Sequence, residues 1–494
     1  MNDSYILAID QSTSGTKALL VNRQGSIIAK ETAMHKQIYP QSGWVEHDPI
    51  EIYENVKKVI NKIARSNHEI IDKMKTLTIT NQRETVVVWD KQTGKPVYNA
   101  IVWQCRRTTA VCERLKQEGH EETVRTKTGL TIDPYFSASK VKWILDNVSG
   151  IRSRAQKGEL LLGTIDSWLI WKLTQGKVHA TDVTNASRTL LFNIRSMNWD
   201  EQLLEIFQIP QSMLPEVQSS DTYFGLVEDS VLKVPPVSIS GVIGDSQAAL
   251  FAQRCFEKGM AKATFGTGTS VMVFTDQLED VNEGLVTSVA WGYSGKIHYA
   301  LEGIINTTGD IIRWMKDDLT LFHSFEEAER LVGKLENNGG VYLVPAFVGL
   351  GAPYWSPSTR AGIIGMSRNT SKAHIVRAGL ESIVYQVKDI LQLIYEETNV
   401  EVKELRVDGG ATTNVFLMQY LADVLGIKVI VSSVSELSAL GSVYLGGLGT
   451  GIWNSGGEIS KLNREKRVFK PKMSQKTREK YYSEWKNAIQ SLLI

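Results

Sequence analysis

Residues 6–21 read Ile6-Leu7-Ala8-Ile9-Asp10-Gln11-Ser12-Thr13-Ser14-Gly15-Thr16-Lys17-Ala18-Leu19-Leu20-Val21. Two runs of β-forming residues flank a turn of glycine and small hydroxyl residues, and this pattern predicts a β-hairpin. Backbone N–H groups in such a turn can converge on one anion and form a concave phosphate-binding nest. A plain hairpin turn explains this segment equally well when it is taken alone.

A second stretch of the same kind lies in the other half of the chain. It reads Ala261-Lys262-Ala263-Thr264-Phe265-Gly266-Thr267-Gly268-Thr269-Ser270-Val271-Met272-Val273-Phe274. Two such turns in matching positions indicate a duplicated fold that holds a nucleotide between its halves. No low-complexity linker separates the halves, so the repeat sets the predicted boundary. We expect an N-terminal domain over residues 1–253 and a C-terminal domain over residues 254–494.

The composition is that of an ordinary globular protein, with 42% apolar and 22% charged residues among 494. This length exceeds what one hydrophobic core organises and indicates two large domains or more. The formal net charge of +1 gives no global field that would attract nucleic acid or anionic lipid. We therefore expect no nucleic-acid partner, and local groups must hold any phosphorylated substrate.

We expect neither a secretory signal nor a membrane span. The start, Met1-Asn2-Asp3-Ser4-Tyr5, has no basic region. The chain also lacks a stretch of about 18 uninterrupted apolar residues. The three cysteines, Cys105, Cys112 and Cys255, are odd in number and have no metal-ligand spacing, which is typical of reduced thiols in a cytoplasmic protein.

Strand and helix patterns alternate along the chain, which predicts an α/β fold. Asp48-Pro49-Ile50-Glu51 predicts a helix start, with Asp48 as N-cap and Glu51 completing a capping box. Residues 76–80 and 404–411 read as strands, the latter running into a glycine turn and a helix from about residue 413 to 425. A long amphipathic helix is expected over residues 371–395, and a last helix carries Leu440 and Tyr444.

Phosphoryl transfer needs N–H donors that position the phosphates, a metal that neutralises charge, and a base that orients the acceptor hydroxyl. The first turn supplies Thr13, Ser14 and Gly15 for the phosphates, and Lys17 can add a cation. Asp10 lies at the mouth of this hairpin, where its carboxylate can hold Mg²⁺, either directly or through water.

Five further side chains are candidates for acceptor chemistry. Asp245 follows a strand and a glycine turn and opens an apolar helix, so it is the candidate base, with a helix N-cap as the equal alternative. Arg83 and Glu84 end a strand and can bind adjacent hydroxyls, the arginine donating and the glutamate accepting, unless they form a solvated ion pair. Trp103 and Tyr135 can supply an apolar wall and a phenolic donor, although aromatics in such runs are more often core residues.

Longer motifs make the chain closely similar to the FGGY carbohydrate kinases, and within that family to its glycerol-phosphorylating members. The resemblance runs from Tyr5 to beyond Lys470. The motifs are Gly43-Trp44-Val45-Glu46-His47-Asp48-Pro49, Ile79-Thr80-Asn81-Gln82-Arg83-Glu84-Thr85, Ala100-Ile101-Val102-Trp103-Gln104-Cys105-Arg106-Arg107-Thr108, Asp133-Pro134-Tyr135-Phe136-Ser137, Thr184-Asn185-Ala186-Ser187-Arg188, Leu350-Gly351-Ala352-Pro353-Tyr354-Trp355 and Val407-Asp408-Gly409-Gly410-Ala411.

The resemblance implies two actin/hexokinase-like (ribonuclease-H-like) α/β domains with a cleft between them, which close around ATP and a polyol. It makes Asp245 the catalytic base, and we expect Asp245 to share the metal with Asp10. It also implies that Arg83, Glu84 and Tyr135 hold the acceptor. The residues implied in nucleotide binding are Thr13, Ser14, Gly15, Lys17, Thr267, Gly309, Arg313, Gly410 and Asn414.

Two positions of the implied acceptor pocket depart from the family's glycerol enzymes. Those enzymes usually carry Gln after the catalytic Asp and Phe two residues after the last Gly of the second loop, where this chain has Ser246 and Ser270. Two hydroxymethyl groups should leave a roomier and more polar site. The Gly15-Thr16-Lys17 stretch also looks more like the pentulose kinases than the glycerol enzymes.

Regulatory features of the family are not evident. Val231-Leu232-Lys233-Val234-Pro235-Pro236 stands where some members bind fructose 1,6-bisphosphate, and this loop has no histidine to phosphorylate. Regulation by either route is therefore not expected.

The sequence thus predicts a cytoplasmic ATP- and Mg²⁺-dependent kinase for a primary hydroxyl of a small polyol, first of all glycerol. Because of Ser246 and Ser270, a longer polyol or a ketose such as erythritol, ribitol or xylulose is the alternative. A non-catalytic actin-like ATP-binding protein is a remote alternative, since Asp10, Arg83, Glu84 and Asp245 are all present. The resemblance suggests a homodimer or homotetramer.

Overall fold

The structure is a computed structural model and describes residues 4–229, 232–281, 284–354, 356, 358–462 and 466–493. Val231 and Trp355, which belong to motifs quoted above, and the first three residues lie outside the described residues. The chain divides into two compact units. Unit 1 comprises Met1–Arg254, Thr287–Tyr299 and Glu436–Leu462, and unit 2 comprises Cys255–Val286, Ala300–Ser435 and Asn463–Ile494.

Unit 1 is built from strands and helices that alternate along the chain. Its strands are Tyr5–Gln11, Gly15–Asn22, Ile27–Met34, Glu46–His47, Met74–Asn81, Val86–Asp90, Ala100–Ile101, Leu160–Thr164, Ala180–Asp182, Phe192–Asn193, Asn198–Trp199, Glu216–Gln218, Tyr223–Leu226 and Ser238–Gly244. Its helices are Pro49–Ser66, His68–Ile71, Thr109–Gln117, Glu121–Thr128, Ser137–Asn147, Ile151–Gln156, Ile165–Leu173, Val183–Ala186, Glu201–Phe207, Asp245–Ala252, Leu437–Gly449 and Gly456–Lys461, with a 3₁₀ turn at Gln211–Met213.

Six strands of unit 1 form its main sheet. In sheet order they are Tyr223–Leu226, Ser238–Gly244, Met74–Asn81, Tyr5–Gln11, Gly15–Asn22 and Ile27–Met34. The predicted first hairpin is present, with Asp10 opposite Lys17 in its antiparallel register. The sheet sits on a core that includes Leu7, Ile79 and Val242, all fully buried.

The edge where three parallel strands of this sheet end positions the candidate site. Tyr5–Gln11 and Ser238–Gly244 both run parallel to Met74–Asn81, with Gln11 and Gly244 opposite Asn81. Carboxyl ends of parallel strands meet at one edge of a sheet, where ligands of α/β proteins bind. The residues that follow these strands are the first turn, the Arg83–Glu84 pair and Asp245.

A helix from late in the chain packs closely on unit 1. Leu437–Gly449 contacts the helix Asp245–Ala252 and the main sheet. A Cβ on Gly441 would lie 1.9 Å from the carbonyl oxygen of Ala248, so only glycine allows this approach. The helix that carries the candidate base is thereby buttressed by a segment far away in sequence.

Unit 2 repeats the same kind of architecture. Its strands are Met260–Phe265, Thr269–Phe274, Tyr342–Val344, Gly362–Ile364, Glu404–Gly409, Lys428–Ser432 and Lys466–Phe469. Two more strands, Val286–Tyr293 and Lys296–Ile305, include residues of both units. Its helices are Gly309–Arg313, Phe325–Val332, Lys372–Thr398, Val415–Leu425 and Gln475–Gln490, with a π-helical turn at Trp314–Asp318 and a 3₁₀ turn at Gly410–Thr413.

The pairing of strands shows that unit 2 duplicates unit 1. The strand Met260–Phe265 pairs antiparallel with Thr269–Phe274 and parallel with Glu404–Gly409, as Tyr5–Gln11 pairs with Gly15–Asn22 and Met74–Asn81 in unit 1. The predicted second hairpin is therefore confirmed, and the two turns occupy equivalent places in two equivalent sheets.

Most of the local predictions hold, and two are wrong. Asp48 caps the helix Pro49–Ser66 by accepting the N–H of Ile50 at 2.8 Å. The capping box is wrong, because Glu51 instead accepts the N–H of Lys36 at 3.2 Å. The helix that carries Leu440 is not the last one, since Gly456–Lys461 and Gln475–Gln490 follow it.

Among the helices of the described residues, none is both long and apolar enough to cross a bilayer.

Candidate active site

Asp10 lies near the end of the first strand of unit 1, and its side chain is almost fully buried. Its Oδ2 is 3.7 Å from Nζ of Lys17 on the neighbouring strand. The pKa of Asp10 is raised to about 6, chiefly by burial and also by the carboxylates of Asp245 and Glu436, while Lys17 opposes this rise. Three carboxylates thus create a negative field at this edge, which a cation would relieve.

Lys17 is held in an ion-pair cluster that the sequence did not reveal. Its Nζ donates to Oε2 of Glu436 at 2.8 Å, and Nζ of Lys30 donates to Oε1 of the same carboxylate at 2.6 Å. Glu436 immediately precedes the helix Leu437–Gly449. The ammonium of Lys17 is therefore fixed between Asp10 and Glu436, beside the first turn.

The first turn is fixed mainly through Thr13. The carbonyl of Thr13 accepts hydrogen bonds from Nε2 of His35 and Nε2 of Gln37, both at 2.8 Å. Its hydroxyl accepts one from Nε1 of Trp103 at 3.0 Å. Burial lowers the pKa of His35, so its ring is held neutral.

Two backbone donors of this turn are left without an acceptor among the described protein residues. Ser12 closes the turn by donating both its N–H and its hydroxyl to the carbonyl of Gly15, each at 2.9 Å. A Cβ on Gly15 would lie 2.8 Å from the carbonyl oxygen of Ala33, so glycine is required. Across the described part of the chain, the backbone N–H groups of Thr13 and Ser14 donate to no protein acceptor. They form the kind of nest that binds phosphate oxygens.

Arg83 and Glu84 are buried, which excludes the solvated ion pair as an explanation. Their side chains are 5% and 1% exposed. Glu84 has a left-handed backbone with φ of 62°, which costs energy in a non-glycine residue and is often found at functional sites. Its Oε1 accepts a hydrogen bond from Nε of Arg188 at 2.6 Å.

Asp245 lies at the start of the helix Asp245–Ala252, and its side chain is 36% exposed. The N-cap position is occupied by Gly244, so the alternative of Asp245 as N-cap is wrong. Its Oδ1 accepts the N–H of Ser246 at 2.7 Å and lies 3.3 Å from Nε of Arg83. The carboxylate is thus accessible while its orientation is fixed.

Trp103 and Tyr135 lie together as the sequence predicts. Their rings make an edge-to-face contact with centroids 5.4 Å apart, and both side chains are partly exposed. The loop of Tyr135 is tied down by the buried Lys140, whose Nζ donates to the carbonyls of Tyr135 and Phe136 at 2.7 and 2.9 Å. Burial lowers the pKa of Lys140 to about 8.

The second turn lies in unit 2 and is built like the first. The carbonyl of Thr267 accepts the N–H groups of Thr308 and Asp310 at 3.0 and 3.2 Å. Gly309 donates to the carbonyl of Gly266 at 3.0 Å, and a Cβ on Gly309 would lie 2.4 Å from that oxygen. Within the described ranges, the backbone N–H groups of Thr267 and Gly268 have no protein acceptor.

The other predicted nucleotide residues of unit 2 have different local roles. Gly410 follows Gly409, which pairs with Phe265 directly before the turn. Asn414 caps the helix Val415–Leu425 through its Oδ1, and its buried Nδ2 has no partner in the described structure. Arg313 is largely exposed and donates to Oδ1 of Asp310.

The two serines that depart from the family pattern lie in different units. Ser246 of unit 1 follows Asp245 and is partly exposed. Ser270 of unit 2 donates its hydroxyl to Oε1 of Glu302 at 3.0 Å.

The structure therefore brings the predicted residues together in two groups. In unit 1 these are Asp10, Thr13, Ser14, Gly15, Lys17, Arg83, Glu84, Trp103, Tyr135, Asp245 and Ser246. In unit 2 they are Thr267, Ser270, Gly309, Arg313, Gly410 and Asn414. The partners that sequence reasoning missed are Lys30, His35, Gln37, Lys140, Arg188 and Glu436. Only Arg188 stood in a quoted motif, where its spacing gave no sign of a contact.

The described residues include no group of three or more histidine, cysteine or acidic side chains that could hold a metal on their own. Mg²⁺ in phosphoryl-transfer sites is typically held by one or two carboxylates together with substrate phosphates. Asp10, with its raised pKa, and Asp245 fit that arrangement, since each would be stabilised by a nearby dication.

Comparison with known families decides the class of this protein. The model of the FGGY family of carbohydrate kinases, N-terminal domain, matches residues 5–252. The model of the C-terminal domain of the same family matches residues 261–450. The chain belongs to the FGGY family of carbohydrate kinases. This membership confirms the predicted kinase class.

Relatives within this FGGY family match along the whole chain. A protein named glycerol kinase 2 from Thermotoga maritima is 48% identical over 486 residues, covering 98% of both chains. The glycerol kinase of Halothermothrix orenii is 49% identical over 494 residues, covering 100% of this chain and 99% of its own.

Solved structures confirm the fold class of two actin/hexokinase-like domains. Plasmodium falciparum glycerol kinase with ADP has a TM-score of 0.95 and 38% identity, with 100% of this chain and 99% of that chain covered. A xylulose kinase from Lactobacillus acidophilus has a TM-score of 0.90 at 20% identity, covering 99% and 98%, which shows the shared fold alone.

Proposed function

We propose that this FGGY kinase transfers the γ-phosphoryl group of ATP to a primary hydroxyl of glycerol, giving glycerol 3-phosphate and ADP. The relatives named glycerol kinase, at 48–49% identity over nearly the full chain, support this choice of acceptor. The single observation that carries the chemistry is that Arg83 lies 3.3 Å from Asp245 and 3.9 Å from Glu84 at the strand-end edge.

Asp245 acts as the general base in this proposal. Its partly exposed carboxylate accepts the hydroxyl proton as the hydroxyl oxygen attacks the γ-phosphorus, and the bond to the bridging oxygen of ADP breaks. Arg83 donates to a second hydroxyl and also fixes the carboxylate of Asp245. Glu84 accepts from a hydroxyl, while Trp103 and Tyr135 cover the carbon chain.

The two turns bind the phosphates through their backbone N–H groups. Thr13, Ser14 and Gly15 act in the N-terminal domain, which we place at residues 1–253, with Lys17 as the nearby cation. Thr267, Gly309, Arg313, Gly410 and Asn414 bind the nucleotide in the C-terminal domain, residues 254–494. Asp10 and Asp245 would hold Mg²⁺, which supplies neutralisation of phosphate charge when it is bound.

A second candidate acceptor is a longer polyol or a ketose, such as erythritol, ribitol or xylulose. Ser246 and Ser270 favour it, because hydroxymethyl side chains take less volume than the Gln and Phe typical of the family's glycerol enzymes. The hydroxyl of Ser270 is engaged by Glu302, which keeps this small side chain in a polar setting.

The cellular setting is also a proposal. Cys105, Cys112 and Cys255 are buried and free, which fits a reducing compartment such as the cytoplasm. A homodimer or homotetramer is proposed from the family resemblance, and light scattering of the purified protein would measure it.

A panel of C3 to C5 polyols and ketoses, assayed by coupled ADP release, tests the acceptor. We expect the highest kcat/KM with glycerol. A C4 or C5 acceptor with a higher kcat/KM would establish the second candidate. The double variant Ser246→Gln with Ser270→Phe should shift preference toward glycerol, and an unchanged order of acceptors would contradict the argument from pocket volume.

A further inference from the structure

The segment Thr184-Asn185-Ala186-Ser187-Arg188 has no part in the chemistry proposed above, yet it is entirely buried. Arg188 is 0% exposed, and an arginine is rarely buried to this extent unless its charge is paired. The groups around Arg188 must therefore compensate its buried charge.

The partner of Arg188 is the carboxylate proposed to recognise the polyol. Nε of Arg188 donates to Oε1 of Glu84 at 2.6 Å, and both side chains are at most 1% exposed. Charge-assisted hydrogen bonds of this length are among the stronger ones in proteins and fix the orientation of the carboxylate. Glu84 also has the strained backbone noted above, and such a conformation persists only where surrounding contacts fix it.

The same guanidinium also supports the aromatic side of the acceptor pocket. Its centre lies 5.9 Å from the ring of Tyr135 and 5.1 Å from the ring of Phe136, within the range of cation–π attraction. Its Nη1 donates to the hydroxyl of Ser288 at 2.7 Å, which fixes the guanidinium itself. Through these contacts Arg188 acts on the polyol site by way of Glu84 and Tyr135.

The start of the segment is tied to the candidate base. The hydroxyl of Thr184 donates to the buried carboxylate of Asp182 and accepts the N–H of Gly244 at 2.8 Å. Gly244 immediately precedes Asp245. Residues 184–188 thus contact Glu84, the carboxylate proposed to bind the acceptor, and Gly244, the residue before the proposed base.

We propose that Arg188 is a positioning residue that sets polyol recognition by orienting Glu84 and Tyr135. This inference rests on the proposed function, because it assigns Glu84 to a hydroxyl of the acceptor. If Arg188 no longer orients Glu84, the enzyme should prefer acceptors with this hydroxyl less strongly over acceptors that lack it.

The test compares glycerol with propane-1,2-diol and propane-1,3-diol, each of which lacks one hydroxyl but keeps a primary one. The wild-type enzyme should prefer glycerol to at least one diol by about 10- to 100-fold in kcat/KM, the range expected for a hydrogen bond to a charged group. In Arg188→Lys this preference should fall by about 10-fold. The ammonium of lysine lacks the rigid, planar array of N–H donors with which the guanidinium orients Glu84. KM for glycerol should rise while KM for ATP stays unchanged.

Two further variants protect the test against a simple loss of folding. Arg188→Gln removes the positive charge that donates to Glu84, so it should be impaired more than Arg188→Lys, which is then a partial rescue. Ser288→Ala keeps Arg188 but removes its Nη1 partner, and it should lower the glycerol preference by about 5-fold.

A matched control exists in the same unit. Arg107 and Glu46 form a second buried pair, with Nη2 to Oε1 at 2.6 Å and side chains 0% and 2% exposed. Arg107→Lys should lower the melting temperature much as Arg188→Lys does, but it should leave the glycerol-to-diol ratio unchanged.

Different results separate the possible failures. An active wild type whose Arg188→Lys variant loses activity toward glycerol and both diols by the same factor would overturn the positioning role alone. The positioning role would also be overturned if Arg107→Lys reduced the glycerol-to-diol ratio of kcat/KM as much as Arg188→Lys does. A wild type with no polyol-dependent ADP release would overturn the proposed function, and this inference with it.

Discussion

In unit 1 the guanidinium Nε of Arg83 lies 3.3 Å from Oδ1 of Asp245. The contact joins the residues after the strand Met74–Asn81 to the start of the helix Asp245–Ala252, which follows the parallel strand Ser238–Gly244. It leaves the aspartate 36% exposed and fixes its orientation, which are the two conditions that a general base for an incoming alcohol must meet.

Arg83 is therefore expected to affect both binding and turnover. Arg83→Met should raise KM for the polyol by about 10-fold or more, since a charged hydrogen bond to a hydroxyl is lost. It should also lower kcat, because Asp245 loses its support. Initial rates over a polyol titration measure both effects.

The control for this change is Arg154→Met. Arg154 pairs with Glu159 at 3.0 Å on the partly exposed surface of the same unit. Its loss should leave both kinetic parameters near those of the wild type. An Arg83→Met enzyme with unchanged KM and kcat would contradict the assigned contact.

Lys17 and Lys30 provide a matched pair of cations, because both bind the carboxylate of Glu436. Only Lys17 also faces Asp10, at 3.7 Å. Lys17→Met should raise KM for ATP by about 10-fold through the loss of a charged phosphate contact, whereas Lys30→Met should not. Equal effects of the two changes would show that Lys17 acts only through Glu436.

The second turn predicts a contrast between two glycines. Gly309→Ala places a Cβ 2.4 Å from the carbonyl oxygen of Gly266, so the turn must shift and KM for ATP should rise. Gly410→Ala meets nothing within 4 Å and should leave the melting temperature of the nucleotide-free protein unchanged. A weaker ATP affinity of Gly410→Ala at unchanged stability would show that nucleotide approaches Gly410. Wild-type ATP kinetics in Gly309→Ala would contradict the role of this turn.

A buried carboxylate outside the site predicts a pH dependence of stability. Burial raises the pKa of Asp166 to about 7, although the hydroxyls of Thr164 and Thr181 both donate to it. The folded protein therefore binds a proton more tightly than the unfolded chain, so the contribution of Asp166 is present at low pH and is lost as the pH rises through about 7.

Asp166→Asn removes this titration. Relative to the wild type, the variant should gain about 3 kcal/mol in free energy of unfolding between pH 5 and pH 8, measured by urea denaturation. Asp200→Asn is the control, because hydrogen bonds from Lys127 and Asn193 outweigh the effect of burial and lower the pKa of Asp200. Its titration lies below pH 5, so its stability difference should be the same at both pH values. A pH-independent difference for Asp166→Asn would contradict the raised pKa.

Structural features that depend on short stretches of sequence could be predicted. The hairpins, the Asp48 cap and the placement of Asp245 at a strand–helix junction each depend on neighbours within a few residues. The predicted Glu51 capping box failed because the N–H of Lys36, from an adjacent segment, competes for the carboxylate.

Contacts between distant segments could not be predicted in this way. Glu436 binds Lys17 from 419 residues away, and Arg188 binds Glu84 from 104 residues away. Neither the periodicity of hydrophobic residues nor the residue types mark such partners, because any exposed acid could pair with a lysine. They become visible only when the sheets bring the segments together.

The most direct test of the whole account is polyol-dependent ADP release by Asp245→Asn and by the wild type at saturating ATP and glycerol. We expect kcat of the variant to fall on the order of 10²-fold or more, because the acceptor proton has lost its base, while the melting temperature changes little. A variant that turns over glycerol at a rate near that of the wild type would contradict the assignment of Asp245.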